Sequence, residues 1–304
     1  MALVYVTREI VGDAMDRLRA AHDVAVWVKP EPTPPAELRA AVADAEGLLC
    51  MLTDRVDEEL LDAAPRLRAV ANYAVGHDNI DLAATAARGI AVGVTPDVLT
   101  DATADLTFAL LLAAARRLPE VIAAVAAGQW STWEPNRWLG SDVHGATLGI
   151  VGFGRIGRAV ARRAEGFEMR VLATRETPLE EILARSDFVT LHCPLTPETR
   201  HLIDARALAL MKPTAILVNT ARGPIVDQLA LGAALRAGAI GGAALDVTDP
   251  EPMPADDPLV GAPNLIVVAH IGSATQAARA RMTELAVDNL LAALDGQPMP
   301  HPVG

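Results

Sequence analysis

The sequence predicts an α/β protein built from two parallel-sheet domains, and three observations carry that prediction. The chain has 304 residues, a length that suggests about two domains. Through the first third, short apolar runs alternate with helix-period segments, the pattern of β-α units that lay parallel strands under covering helices. A second β-α series begins at Thr147 and continues to about Ala269. Hydrophobic residues at 51% against charged residues at 21% are enough to fill two cores.

The first series places strands at residues 3–6, 24–28, 47–52, 67–72 and 90–94. Helical patterns lie between them at 8–20, 35–45, 57–64 and 81–88. Pro30, Pro32, Pro34 and Pro35 read as a stiff connection within one domain. A long helix is expected from 101 to 117, opened by the capping side chains Asp97, Thr100, Asp101 and Thr103. A loop with Trp130, Trp133 and Trp138 follows Gly128. The last helix, 275–294, is long enough to leave the second domain and pack back on the first.

The formal net charge of -12 argues against nucleic acid and anionic membranes as partners. Any anion site must therefore concentrate its own positive charge. Cys50 and Cys193 sit in apolar strand-like stretches, which predicts buried, inert thiols in a reducing compartment. The apolar run 106–115 is short of the roughly 20 residues that span a bilayer. The N-terminus enters a strand pattern directly, so a cytoplasmic protein is expected. Residues at metal-ligand spacing are lacking, so no metal is expected.

Two places point to chemistry. The first is Gly152-Phe153-Gly154-Arg155-Ile156-Gly157, set between an apolar strand at 148–151 and helix-forming residues at 158–165. In that context the glycines permit a tight turn, a close approach of backbone to a pyrophosphate and close helix packing. The amides at the helix start supply positive potential for the phosphates. The following strand ends Ala173-Thr174-Arg175. A carboxylate there would hold the ribose hydroxyls of NAD; an arginine suits the 2′-phosphate of NADPH. NADPH is therefore the preferred cofactor, with NAD possible.

The second place is a set of strand ends. Residues 217–223 run into Arg222, 243–252 carry Asp246 and Glu251, and 267–273 carry His270. Each polar residue stands at or past the C-terminal end of an apolar strand, the edge where open parallel sheets bind ligands.

These stretches, with 71–81, 95–105 and 152–157, resemble the D-2-hydroxyacid dehydrogenase family, in order and spacing, over nearly the whole chain. Within it, residues 133–140, 246–252 and 270–275 are most similar to glyoxylate/hydroxypyruvate reductases. The resemblance implies two doubly wound parallel-sheet domains, Rossmann-like and flavodoxin-like. The substrate domain, 1–98 plus 284–304, is discontinuous, and 99–283 binds the dinucleotide. It further implies that Arg222 binds substrate, Glu251 orients His270, and His270 donates the proton. Val75 and Gly76 match a loop whose amides hold the substrate carboxylate. Phe153 to Ile156, Thr174, Arg175, Thr220, Ala221, Asp246, His270 and Gly272 match cofactor-contacting positions. A homodimer is implied, with Trp138 matching an aromatic that one subunit inserts toward its neighbour's active site, where it would line the substrate site. Two departures stand out. The usual helix and strand between Thr177 and Leu179 are missing, which trims the cofactor sheet, and Ala269 replaces a common proline. The alternatives are phosphoglycerate dehydrogenase and a dinucleotide-sensing corepressor that binds without turnover.

Overall fold

The computed structural model describes residues 1–10 and 12–303. The elements run β1 (Leu3–Val6), α1 (Ala14–Ala21), β2 (Asp23–Val26), α2 (Pro35–Val42), β3 (Gly47–Cys50), α3 (Glu58–Ala63), β4 (Ala69–Asn72), α4 (Leu82–Ala87) and β5 (Ala91–Gly93). There follow α5 (Thr100–Ala115), α6 (Leu118–Ala126), β6 (Thr147–Val151), α7 (Arg155–Glu165), β7 (Arg170–Ala173), α8 (Leu179–Arg185) and β8 (Phe188–Leu191). The chain ends with α9 (Ala205–Leu210), β9 (Ile216–Asn219), α10 (Gln228–Arg236), β10 (Gly242–Leu245), β11 (Leu265–Val267) and α11 (Gln276–Leu294). It divides into two compact units, Met1–Leu99 with the stretch from Ala274 onward, and Thr100–Ser273.

The first unit holds a five-stranded sheet in the order β2-β1-β3-β4-β5, with every pairing parallel. Its central strands, Gly-Leu-Leu-Cys and Ala-Val-Ala-Asn, are buried along their whole length, as strands covered on both faces must be. Asp57 and Asp81 start α3 and α4 by accepting the Leu60 and Ala84 amides at 3.1 and 2.8 Å. Helix α11 packs on α1, β3, β4 and β5. Because that packing begins in its first turns, the unit boundary falls at Ala274 and not at the expected position 284. The helix expected from residue 8 begins only at Ala14, after Gly12 has turned the backbone to φ 118°.

The second unit holds a six-stranded parallel sheet in the order β11-β10-β9-β8-β6-β7. Strand β7 is the outer strand, and only a short turn joins it to α8, which is the trimmed edge the sequence predicts. Helix α5 lies on β9, β10, β11 and α7, and the rings of Phe108 and Phe167 stack beside it at 5.5 Å. At Arg117, where the long helix is expected to stop, the backbone turns left-handed (φ 51°), and α6 starts in residues to which the sequence assigns no element. Leu118, Ile122 and Val125 of α6 remain exposed. Cys50 is fully buried, but Cys193 is only partly so, a correction to the expectation for that thiol. Among the described residues no helix is long and apolar enough to cross a membrane.

Candidate active site

The ends of β6, β7, β8, β9, β10 and β11 form one edge of the second sheet, and the polar residues singled out in this unit gather along it. The glycine turn lies between β6 and α7. Gly152 has φ 94°, and a Cβ there would collide with the backbone of His192 and Cys193 in the loop after β8. At Gly157 a Cβ would strike the Gly152 carbonyl, so the helix can close on the strand only with glycine. Gly154 has no atom within 4 Å of where its Cβ would stand. That open face at the head of an 11-residue helix fits a pyrophosphate lying against backbone amides. Thr174 Oγ accepts the Gly152 N–H at 3.0 Å, so the tip of β7 is tied to the turn while the hydroxyl keeps its own hydrogen to donate. Arg175 is exposed beside it and, among the described residues, pairs with no carboxylate.

Arg222 follows β9, whose last residue, Asn219, is fully buried. The Asn219 amide donates to the Arg222 carbonyl at 2.8 Å, and its oxygen accepts the Ala221 N–H at 3.0 Å. The arginine loop is thus shaped by a residue that sequence reasoning left without a role. Glycine at 223 then lets this loop press on the backbone of Thr248 and Asp249, which a Cβ would prevent. The segment it meets carries Glu251, whose Oε1 lies 2.6 Å from His270 Nδ1. Both side chains are partly exposed, so the pair faces solvent and not the core. With Nδ1 facing a carboxylate, that nitrogen carries a proton and Nε2 is the one left to exchange.

His270 itself sits in a left-handed backbone (φ 53°). Asp246 holds it there. The Asp246 carbonyl accepts the His270 N–H at 2.8 Å, and its carboxylate accepts the amides of Ile271 at 2.6 Å and Gly272 at 2.8 Å. Burial pushes the Asp246 carboxyl above the usual carboxylate range, against the pull of the Ile271 and Gly272 amides and of His270. Thr220, also expected among the cofactor contacts, is buried too, its hydroxyl 3.0 Å from Thr107 Oγ and 3.5 Å from His192 Nδ1. Burial pushes the His192 imidazole down to about 3. Asp246 and Thr220 thus give their side chains to the protein, unlike the open glycine turn and Arg175.

Trp138 has φ 55° and lies under the Arg137 guanidinium at 4.1 Å, which Glu134 pairs at 3.0 Å. Trp130, Trp133 and Leu139 around it are exposed. Val75 and Gly76 lie in the first unit, in the loop after β4. Among the described residues no group of three or more His, Cys, Asp and Glu could hold a metal.

A profile of the D-isomer specific 2-hydroxyacid dehydrogenase NAD binding domain matches residues 108–272, which contain the turn, Arg222, Glu251 and His270. The chain belongs to the D-isomer-specific 2-hydroxyacid dehydrogenases. It is 49% identical over 315 residues to a glyoxylate reductase of Thermococcus gammatolerans, covering 98% of this chain and 94% of that one. A crystal structure of a Thermus thermophilus protein superimposes with a TM-score of 0.94 at 50% identity, covering 99% of this chain and all of that one (100%). The NADPH-dependent glyoxylate/hydroxypyruvate reductase of Sinorhizobium meliloti, solved with NADP and malonate, matches with a TM-score of 0.87 at 32% identity, covering 100% and 97% of the two chains. As a member of this dehydrogenase family the chain is an oxidoreductase that uses a nicotinamide dinucleotide.

Proposed function

We propose that this dehydrogenase reduces small 2-oxo acids, glyoxylate and hydroxypyruvate, to 2-hydroxy acids, with NADPH as the preferred hydride donor. The observation that carries the reading is the 2.6 Å pair between His270 Nδ1 and Glu251, on the sheet edge that also holds Arg222 and the dinucleotide turn. The bound cofactor supplies a hydride to the substrate's C2 carbon. As negative charge gathers on the carbonyl oxygen, His270 gives it the proton from Nε2, and Glu251 stabilises the charged ring and fixes its plane. Arg222 grips the substrate's oxygens with its planar fork and holds C2 in register. The amides of Val75 and Gly76 receive the substrate carboxylate. Gly152, Phe153, Gly154, Arg155, Ile156 and Gly157 hold the pyrophosphate, and Thr174 and Arg175 take the 2′-phosphate. Ala221 and Gly272 offer backbone to the dinucleotide, while Thr220 and Asp246 support the loops that do so.

The exposed Leu118, Ile122, Val125, Trp130, Trp133 and Leu139 support a homodimer, because a surface this rich in large apolar side chains marks an association site. The deciding experiment measures NADPH and NADH oxidation with a panel of 2-oxo acids. Glyoxylate turnover faster with NADPH than with NADH is expected. Binding of NADPH with no turnover of any 2-oxo acid would favour the sensing-protein reading instead.

A further inference from the structure

Strand β4 ends in Asn72, whose side chain is fully buried. An amide at such a position must find partners for its donors and acceptor, since a buried polar group left alone is costly. Asn72 Nδ2 donates to the Gly76 carbonyl at 2.8 Å and to Asn79 Oδ1 at 3.0 Å. Asn79 Nδ2 donates in turn to the carbonyls of Asp54 at 2.9 Å and Met51 at 3.2 Å. The carboxylate of Asp54, itself buried, accepts the Met51 N–H at 2.7 Å and the Thr7 hydroxyl. Two side-chain amides thereby tie the loop after β4 to the turn after β3.

The consequence lies in the peptide planes. In a trans peptide the C=O and N–H point in opposite directions. The Gly76 carbonyl is drawn onto Asn72, so the His77 N–H in the same plane is turned away from it. The Ala74 carbonyl accepts the Thr95 N–H at 2.9 Å, so the Val75 N–H is likewise turned away from that neighbour. Among the described residues, the N–H groups of Val75, Gly76 and His77 have no hydrogen-bond acceptor in the chain. A run of consecutive unpaired amides is a feature that takes an anionic oxygen.

We infer that Asn72 is a positioning residue for the substrate carboxylate: by holding the Gly76 carbonyl it presents the His77 N–H, beside those of Val75 and Gly76, to the acid end of the substrate. This rests on the proposed reading that the loop after β4 receives that carboxylate, and it adds the His77 amide and the Asn72 side chain to it. Asn219 does the same work in the other sheet, ending β9 and holding the Arg222 carbonyl at 2.8 Å.

The test uses the full chain with Asn72→Asp and Asn72→Leu, read by thermal midpoint, by NADPH affinity from nicotinamide fluorescence, and by KM and kcat for glyoxylate. Losing the aim of a hydrogen bond to a charged group should raise KM for glyoxylate about 10- to 100-fold. NADPH affinity and kcat at saturation should stay within about threefold, because the lost interaction is made equally in ground and transition states. Unchanged KM in a folded variant, or an equal loss of NADPH affinity, overturns the inference. If neither variant folds, the same readouts on Asn79→Ser decide it, since that change removes only the outer support. Wild-type protein that reduces no 2-oxo acid sinks the functional reading and this inference with it. Wild-type turnover with unchanged KM in folded Asn72→Asp sinks the inference alone.

Discussion

The edge of the second sheet presents ionisable side chains: Arg222, Glu251 and His270 follow β9, β10 and β11. The edge of the first presents backbone, the amides after β4. Yet a strand at each edge ends in a fully buried asparagine, Asn219 and Asn72, whose amide clasps a carbonyl of the loop beyond at 2.8 Å. The difference teaches where chemical identity matters. In the proposed reading, the loops of the second sheet must deliver particular functional groups. On the first they must deliver only a backbone shape, which many sequences could supply if the buried amide holds it.

Substitutions at the reactive edge should therefore cost the most. His270→Ala is expected to lower kcat by at least about 100-fold while leaving NADPH affinity unchanged, because the lost group acts in proton transfer. Near-normal turnover would remove His270 from the reaction. Arg222→Lys should lower kcat/KM by at least about tenfold, since a point charge cannot reproduce a planar fork. Equal kinetics in the lysine variant would make Arg222 a structural residue.

Arg175→Ala tests the cofactor end of the same edge. It should raise KM for NADPH about tenfold or more, with little change for NADH, the worth of a hydrogen bond to a charged group. A wild type that already prefers NADH would remove Arg175 as the selector.

The legibility of the two edges differs for a physical reason. The alternation of apolar runs and helical patterns located the strands of both sheets, most clearly the central ones, where burial on both faces leaves a mark in local composition. Arg222, Glu251 and His270 stood out as charged or ionisable residues at the ends of apolar runs. The end of the long helix near Arg117 was legible, but α6 beyond it was not, because Leu118, Ile122 and Val125 stay exposed and leave no buried face to read. Nor was the start of α11 as part of the first unit, which depends on packing and not on pattern. Asn72 and Asn219 were visible only as the polar last letters of Ala-Val-Ala-Asn and Ile-Leu-Val-Asn. Their partners are set by how loops fold back, which no local pattern records.

A separate expectation concerns stability and not catalysis. Burial holds His192 down to about 3 in the folded chain, against an ordinary value of 6.5. The unfolded chain therefore takes up a proton that the folded one refuses, and stability falls as pH drops from 6.5 toward 3. His192→Gln should flatten this part of the acid limb in thermal melts taken across that range. An acid limb of the same steepness in the variant would place the titrating group elsewhere.

The backbone around His270 is clamped by Asp246, through the amides of residues 270, 271 and 272. Shape and reactivity at this loop are therefore separable: one residue sculpts it and another performs on it. A polar but non-titrating side chain such as glutamine at position 270 should leave the scaffold intact. If the proposed function holds, the resulting protein would gather donor and acceptor and pass them on slowly, widening the window in which their complex can be caught and counted.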